Sequence, residues 1–441
     1  MLYRFLFQRI DNSSLLLFRI FFGILVSLEC YGAMATGWIK RTLIDPTFTF
    51  NFIGFEWLQP LPGNGMYFYF FLMGTLGVCI ALGYKYRVSI IAFFILWSAV
   101  YLMQKTSYNN HYYLLALISF LMCFLPAHKG SSLDVKKNLS LQSKTMHAYV
   151  KWIIVLQLVI VYTYASVAKL YGDWLDFGMV ELLMKGKADY YVIGGFLQQH
   201  WVHVIMGTFG ILFDLLVIPA LLYKPTRKIA FILSIFFHLF NAVVFQIGIF
   251  PFLSLAFTVF FFEPETIRNI FFKTKEVSKP TVVSNPKNKN ILLAFFTTYF
   301  IIQLFLPMRH HFIRDNVLWT EEGHRLSWRM MLRSRRGSVL FKVKNKNTGK
   351  EIYVKQNKYL TQKQRARVAS YPDFMWQFAQ RLKKEYKEKG EDVEVYAINS
   401  KISINGRRMQ PFIDPKIDLS NESWSHFNHH DWILPSKLKE E

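Results

Sequence analysis

A small number of ionisable and amide side chains lie inside long apolar stretches of this 441-residue sequence. Such groups are costly in a membrane, so they are functional candidates by default. Lys169 offers the most direct chemistry, because it ends an apolar run that begins near Tyr149. Apolar surroundings disfavour its ammonium form, and the neutral amine can then act as a general base near neutral pH. The structural alternative is a lysine that reaches from a helix end to the lipid–water interface.

Two further groups of polar residues have spacings that suit ligand binding. His238 and Asn241 are three residues apart, so they share one helical face. An interhelical hydrogen-bonding pair is the alternative interpretation. In the segment 105–111, KTSYNNH, the residues Asn109, Asn110 and His111 either bind a ligand or cap the next helix. The other polar residues at membrane depth are Arg19, Glu29, Gln157, Asp214 and Gln246, and Asp214 has no evident partner.

Neither metal nor disulfide chemistry is expected. The late cluster of His426, His429, His430 and Asp431 has a spacing that matches no standard metal site. The three cysteines all lie in apolar stretches and are interpreted as small buried hydrophobic residues.

The composition indicates that a membrane positions these groups. Hydrophobic residues make up 52% of the chain and charged residues 18%, with a formal net charge of +23. These values exclude a disordered chain and favour a polytopic α-helical membrane protein. The positive charge is then explained mainly by topology, so nucleic acid is not an expected partner.

About nine transmembrane helices are predicted. Lys and Arg are concentrated in alternate loops, which predicts a cytoplasmic N-terminus, a cytoplasmic linker at 274–290 and an extracytoplasmic C-terminal region. The predicted spans are 15–37, 66–84, 88–103, 112–126, 149–167, 202–223, 229–245, 248–262 and 291–306.

The composition shifts after residue 307, which predicts a membrane domain at 1–307 and a second domain at 308–441. A hairpin is predicted from strands 339–343 and 351–354, followed by an amphipathic helix at 371–389 and strands at 393–398 and 401–405. We therefore expect a small, mostly-β extracytoplasmic C-terminal domain. It holds 27 Lys and Arg against 16 Asp and Glu, and such a surface attracts acidic peptides or anionic lipids.

Four blocks of the chain, in order, resemble the vitamin K-dependent gamma-glutamyl carboxylases and their bacterial homologues. The first block is KTSYNNHYYL at 105–114, and the second is AKL at 168–170 followed by Asp173 and Trp174. The third combines Phe237, His238, Asn241, Phe245 and 247–250, and the fourth combines 305–307, His310, Trp319, Thr320 and 327–331. The resemblance covers nearly the whole chain.

The resemblance implies a carboxylase that also forms an epoxide. In the family, a buried lysine deprotonates the hydroquinone form of vitamin K, and the anion reacts with O2 to give a strongly basic intermediate. That intermediate removes a glutamyl γ-proton, the carbanion captures CO2, and the quinone leaves as its epoxide. No metal is required. The implied partners are a lipid quinone, membrane lipids and a glutamate-containing peptide or protein, and the implied location is a bacterial inner membrane.

The resemblance also assigns roles to residues of this chain. Lys169 corresponds to the lysine base, and Asn110 and His111 correspond to catalytic positions beside the quinone. Expected cofactor-binding residues are Asn109, His238, Asn241, Gln246, His310 and Arg19. Two alternatives remain at this stage. One is a quinol-dependent epoxidase with a non-peptide acceptor, and the other is a membrane protein that binds a quinone or lipid without catalysis.

Overall fold

The fold is given by a computed structural model that describes residues 2–273 and 288–438. The predicted cytoplasmic linker therefore lies largely outside the described residues. The first part of the chain contains α1 (Leu2–Phe7), β1 (Arg9–Asp11), α2 (Ser13–Ala35), α3 (Gly65–Leu82), α4 (Tyr86–Met103), α5 (Asn110–Phe124), α6 (Leu133–Lys137), β2 (Thr145–His147) and α7 (Ala148–Val167). It continues with α8 (Gly172–Leu175), α9 (Gly178–Lys185), α10 (Gly194–Leu197), α11 (His200–Leu222), α12 (Arg227–Phe240), α13 (Phe250–Phe257), α14 (Pro264–Ile267) and α15 (Lys289–Phe305).

Seven helices of the described residues are long and apolar enough to cross a membrane: α2, α3, α4, α7, α11, α12 with its π-helical extension Asn241–Phe245, and α15 with its 3-10 extension Leu306–Phe312. All nine predicted spans overlap a helix, so a helical membrane domain is confirmed. The count of about nine is not confirmed. The fourth predicted span corresponds to α5, which has only 15 residues. The eighth corresponds to Phe250–Phe260, which bends by 120° into Pro264–Phe272.

Small residues allow α2 and α3 to pack closely. The hydroxyl of Ser27 lies 2.8 Å from the carbonyl oxygen of Gly23 and 2.9 Å from that of Gly74. A Cβ atom on Gly23 would lie 2.3 Å from the backbone nitrogen of Ala81. Close backbone approach at small residues is a common way for membrane helices to associate.

The C-terminal domain packs two helices against an antiparallel sheet. Its elements are α16 (Val317–Thr320), β3 (Arg335–Asn345), β4 (Glu351–Tyr353), α17 (Gln362–Val368), α18 (Pro372–Glu388), β5 (Val393–Ile404) and β6 (Gln410–Pro411). The strand order is β4–β3–β5–β6. The rings of Phe341 on β3 and Phe378 on α18 meet edge to face, with centroids 4.9 Å apart, in the core of this domain.

The predicted hairpin and amphipathic helix are present as β3–β4 and α18. The prediction of separate strands at 393–398 and 401–405 is wrong, because both belong to the single strand β5. The polar residues between them predicted a break, and the backbone there is irregular. Asn399 has φ +51°, and the register opposite β3 shifts between Ser338 and Leu340. A bulge of this kind kinks a strand without ending it.

Candidate active site

A cavity of about 860 Å³ lies between the membrane helices and the C-terminal domain. Its walls come from the start of α5, the end of α7, α11, α12, α13 and the C-terminal segments around Arg325 and Tyr371. Most of the predicted site residues line it, namely Asn109, Asn110, His111, Lys169, His238 and Asn241. The fold therefore brings together residues that are more than 130 positions apart in the sequence.

Lys169 follows α7 and is buried, with 7% of its surface exposed. Its Nζ donates a hydrogen bond to the carbonyl oxygen of Ala165 at 3.0 Å and forms an ion pair with the carboxylate of Asp214 on α11. The ring of Trp174 lies 5.5 Å from Nζ. The sequence left Asp214 without a partner, and its partner is the lysine of the candidate site. Lys169 is thus held inside the protein by these contacts.

Asn109, Asn110 and His111 begin α5 and have different local roles. The Asn109 side chain accepts a hydrogen bond from the backbone N–H of Tyr112 at 2.7 Å and caps the helix. Asn110 accepts from the Tyr108 hydroxyl at 2.7 Å and donates to the carbonyl oxygen of Arg329 at 3.3 Å. The His111 ring stacks on Phe250, with centroids 4.0 Å apart. The capping interpretation and a position in the cavity are therefore compatible.

His238 and Asn241 approach the same cavity from α12. His238 is buried, and its Nε2 lies 3.2 Å from the hydroxyl of Tyr162. Its Nδ1 has no hydrogen-bond partner in the part of the chain that the structure describes. Asn241 begins the π-helical turn that ends α12, and such turns are frequent at functional sites. A buried nitrogen without a partner marks a position where a ligand can form a hydrogen bond.

Three predicted cofactor-binding residues do not line the cavity. Arg19 is fully buried elsewhere and donates to carbonyl oxygens of the loop after α5, including Ser131 at 2.6 Å. Gln246 is exposed and contacts the Tyr190 hydroxyl at 3.4 Å. His310 lies 3.1 Å from Arg329, which lines the cavity, and so sits behind the wall. The expectation that these three residues line the cavity with the others is therefore wrong, and their binding to a cofactor stays an untested prediction.

Sequence reasoning missed most of the groups that the C-terminal domain contributes to this cavity. His324, Arg325, Arg329, Arg333, Arg367 and Tyr371 all line it. Burial and the nearby arginines hold the pKa of His324 well below its ordinary value, so its imidazole is neutral. The dense run of arginines at 325–336 was the available signal, but the sequence alone does not show which face of the domain meets the membrane helices.

The late histidine cluster has a structural role. Glu322 accepts from Nδ1 of His430 at 2.7 Å and lies 2.7 Å from Nδ1 of His429. The backbone N–H of Ser425 donates to Nε2 of His430 at 3.0 Å. These bonds tie the last segment of the chain to the loop before His324. Within residues 2–273 and 288–438, no group of three or more His, Cys, Asp or Glu side chains could hold a metal ion.

The fold and the cavity together define a class: helical membrane proteins whose buried, lysine-containing cavity is covered by an antiparallel-sheet domain. Two family models match this chain, the HTTM domain over residues 7–265 and the vitamin K-dependent gamma-carboxylase lumenal domain over residues 288–439. The chain therefore belongs to the vitamin K-dependent gamma-carboxylase family, as the sequence blocks predicted. No solved structure matches the chain.

Proposed function

We propose that this protein is a vitamin K-dependent gamma-carboxylase and epoxidase, in which Lys169 deprotonates reduced vitamin K to drive carboxylation of glutamyl residues by CO2. The observation that carries this proposal is the buried Lys169–Asp214 pair in a cavity shared with Asn110, His111 and His238. The chemistry that reduced vitamin K supplies when bound is oxidation by O2 to the epoxide, coupled to removal of a glutamyl γ-proton.

The polar residues of the cavity fit a hydroquinone head group. A hydroquinone has two hydroxyl groups, so it needs hydrogen-bond partners at opposite ends of its ring. Lys169, Asn110 and His238 are polar side chains that line one cavity, and Nδ1 of His238 has no partner among the described residues. Donors fixed in place before the reaction stabilise charge as it develops on an oxygen.

The apolar wall fits an isoprenoid or phytyl tail. Ile205 on α11, and Phe236, Leu239 and Val243 at the end of α12, line the cavity and are also exposed on the outside of the helical domain. Phe236 is 69% exposed and Val243 is 63% exposed. In a bilayer these residues face lipid, so we place the lateral entrance for the cofactor beside them.

Asp214 allows Lys169 to act as the base. In the proposed mechanism, Asp214 takes a proton from Nζ of Lys169 through the bond that joins them, which leaves the amine able to act as a base. The lone pair of Nζ then accepts a proton from a quinol hydroxyl. The new ammonium group balances the charge of the deprotonated cofactor, and its hydrogen bond to Ala165 keeps Nζ in position.

The proposal includes the orientation of the protein. We place the N-terminus in the cytoplasm of a bacterium and the C-terminal domain outside the inner membrane, because of the distribution of Lys and Arg in the loops. The acceptor then enters from the extracytoplasmic side, between the two domains, and the quinone enters from the bilayer. An apolar cavity excludes water, which would otherwise quench a strong base and a carbanion.

The experiment uses the purified full-length protein in lipid nanodiscs with reduced vitamin K and O2. The epoxide is measured by chromatography, and carboxylation is measured as incorporation of labelled bicarbonate into a glutamyl peptide. We expect both products. Formation of epoxide without labelled peptide would replace the peptide acceptor with another one. Absence of epoxide from folded protein that binds the quinol would contradict the proposed reaction.

A further inference from the structure

A second buried lysine, Lys105, lines the cavity and belongs to a charge cluster at the boundary between the two domains. Lys105 precedes Asn109–His111 in the loop between α4 and α5. Its ammonium pairs with the carboxylate of Asp373 at the start of α18, and Arg325 binds the same carboxylate at 2.8 and 3.1 Å. The cluster therefore connects the loop of the candidate catalytic residues to the C-terminal domain.

The cluster contains two cations and one carboxylate. The side chains of Lys105 and Asp373 are 2% and 3% exposed, and that of Arg325 is 17% exposed. Arg325 engages both oxygens of Asp373, which satisfies that carboxylate in the usual bidentate geometry. Lys105 is the additional cation. Lys105 shares its counter-ion with Arg325, and two buried cations on one carboxylate favour the binding of a further anion at this position.

The surrounding residues have the same electrostatic character. Arg333 and Arg367 also line this end of the cavity. Arg333 shares the buried carboxylate of Glu321 with Arg335, and Arg367 donates to the hydroxyl of Tyr371 at 2.9 Å. Asp373 and Glu321 thus each serve two cations. The ring of Phe374 lies 4.7 Å from Nζ of Lys105 and forms an apolar side of the same position.

The pKa values outside the membrane spans agree with this charge balance. Burial, together with repulsion by Arg325, lowers the pKa of Lys105 to about 8, against the attraction of Asp373. Burial alone would raise the pKa of Asp373, but Arg325 and Lys105 hold it below its ordinary value. The other titratable groups that act on Lys105 are Glu56 and His426.

We propose that Lys105 and Arg325 form an anchoring subsite for the carboxylate of the acceptor at the C-terminal-domain end of the cavity. This inference rests on the proposed function, because it names the residues that recognise the acceptor of that reaction. The acceptor carboxylate supplies the counter-charge that the cluster lacks. Lys105 binds it as the ammonium, so binding is strongest below the pKa of Lys105 and weakens as pH rises through that value.

The test is a binding measurement that does not depend on turnover. The full-length protein in nanodiscs, without quinone, is titrated with N-acetylglutamate amide and with N-acetylglutamine amide, which has nearly the same shape but no charge. We expect the glutamate compound to bind more tightly at pH 7, with this preference declining above about pH 8 as the Lys105 ammonium is lost. Equal affinities for the two compounds would overturn the proposal.

Variants separate recognition from a purely structural role. Lys105→Met should lower the affinity for the glutamate compound by about tenfold or more, because one charged hydrogen bond is lost. The affinity of this variant should no longer fall above pH 8, because the group that titrates there has been removed. Lys105→Arg should keep most of the affinity, and Lys401→Met, at an exposed position of β5, should bind as the wild type does.

Thermal unfolding gives the complementary readout. Lys105→Met leaves Arg325 and Asp373 as a matched pair, so the variant should unfold at the same temperature as the wild type or higher. A purely structural role for Lys105 predicts a lower unfolding temperature with unchanged glutamate affinity, and this result would contradict the proposal. Failure of the proposed function has a different signature: no epoxide, with the preference for glutamate over glutamine retained.

Discussion

The buried pair of Lys169 and Asp214 leads to a quantitative prediction about stability. Both side chains are less than a tenth exposed, at 9% and 8%. Asp214→Asn leaves the Lys169 amine without a carboxylate, and removal of one partner from a buried pair costs about 3–5 kcal/mol. We expect a loss near the lower end, about 3 kcal/mol, because Nζ of Lys169 keeps its hydrogen bond to the carbonyl oxygen of Ala165. The double variant Lys169→Met/Asp214→Asn removes both groups and should recover most of this loss.

The assay is equilibrium unfolding in mixed detergent micelles with increasing SDS, followed by tryptophan fluorescence, at pH 7. The control is Glu181→Gln, which breaks the exposed Lys185–Glu181 pair and should cost about 0.5 kcal/mol or less. If Asp214→Asn lost no more stability than Glu181→Gln, the pair would not be buried as described. Lys169→Met is measured alone in the same assay. If its loss and that of Asp214→Asn simply added in the double variant, the two side chains would not interact.

Two further predictions concern packing and pH. Gly23→Ala should lower the unfolding temperature clearly, because the new Cβ would overlap backbone atoms of α3. The control is Gly32→Ala in the same helix, which has open space around it and should be neutral or stabilising. An unchanged unfolding temperature for Gly23→Ala would refute the close approach of α2 and α3. Burial would raise the pKa of Glu321, but Arg333 and Arg335 lower this pKa below its ordinary value of 4.5. The carboxylate therefore stabilises the C-terminal domain above about pH 5, and this stabilisation is lost as the pH falls and Glu321 takes up a proton. Resistance to proteolysis, measured between pH 7 and pH 4, should show this loss. The Glu321→Gln variant should be less resistant than the wild type at pH 7, and its resistance should depend less on pH. A pH dependence identical to that of the wild type would contradict the assignment.

The sequence could predict the groups whose chemistry is unusual at membrane depth. Lys169, His238 and Asn241 were identifiable because a charge or amide within an apolar run requires an explanation. Asn109 was identifiable both as a helix cap and as a cavity residue. The helices themselves follow from hydropathy, although hydropathy does not show that Phe250–Phe260 turns by 120° before Pro264.

The ion pairs could not be predicted from the sequence. Lys105 and Asp373 are 268 positions apart, and nothing local to either residue indicates the other. Asp214 gave no sign of its partner for the same reason. Arg19 was expected to bind the cofactor because of the family resemblance, and the fold instead places its guanidinium against the backbone carbonyl oxygens of a loop. Side-chain type shows that a polar group needs a partner, and only the fold shows which partner it has.

The central claim is that the amine of Lys169 is the base that starts the reaction of reduced vitamin K. The most direct measurement is the rate of epoxide formation by Lys169→Met in nanodiscs, beside Lys151→Met in the same helix as the matched control. Quinol binding and thermal unfolding of both variants are measured in parallel. We expect Lys169→Met to bind quinol and stay folded with epoxide formation reduced at least a hundredfold, in the range of a lost general base, while Lys151→Met forms epoxide at the wild-type rate. Full epoxide formation by folded Lys169→Met would contradict the account.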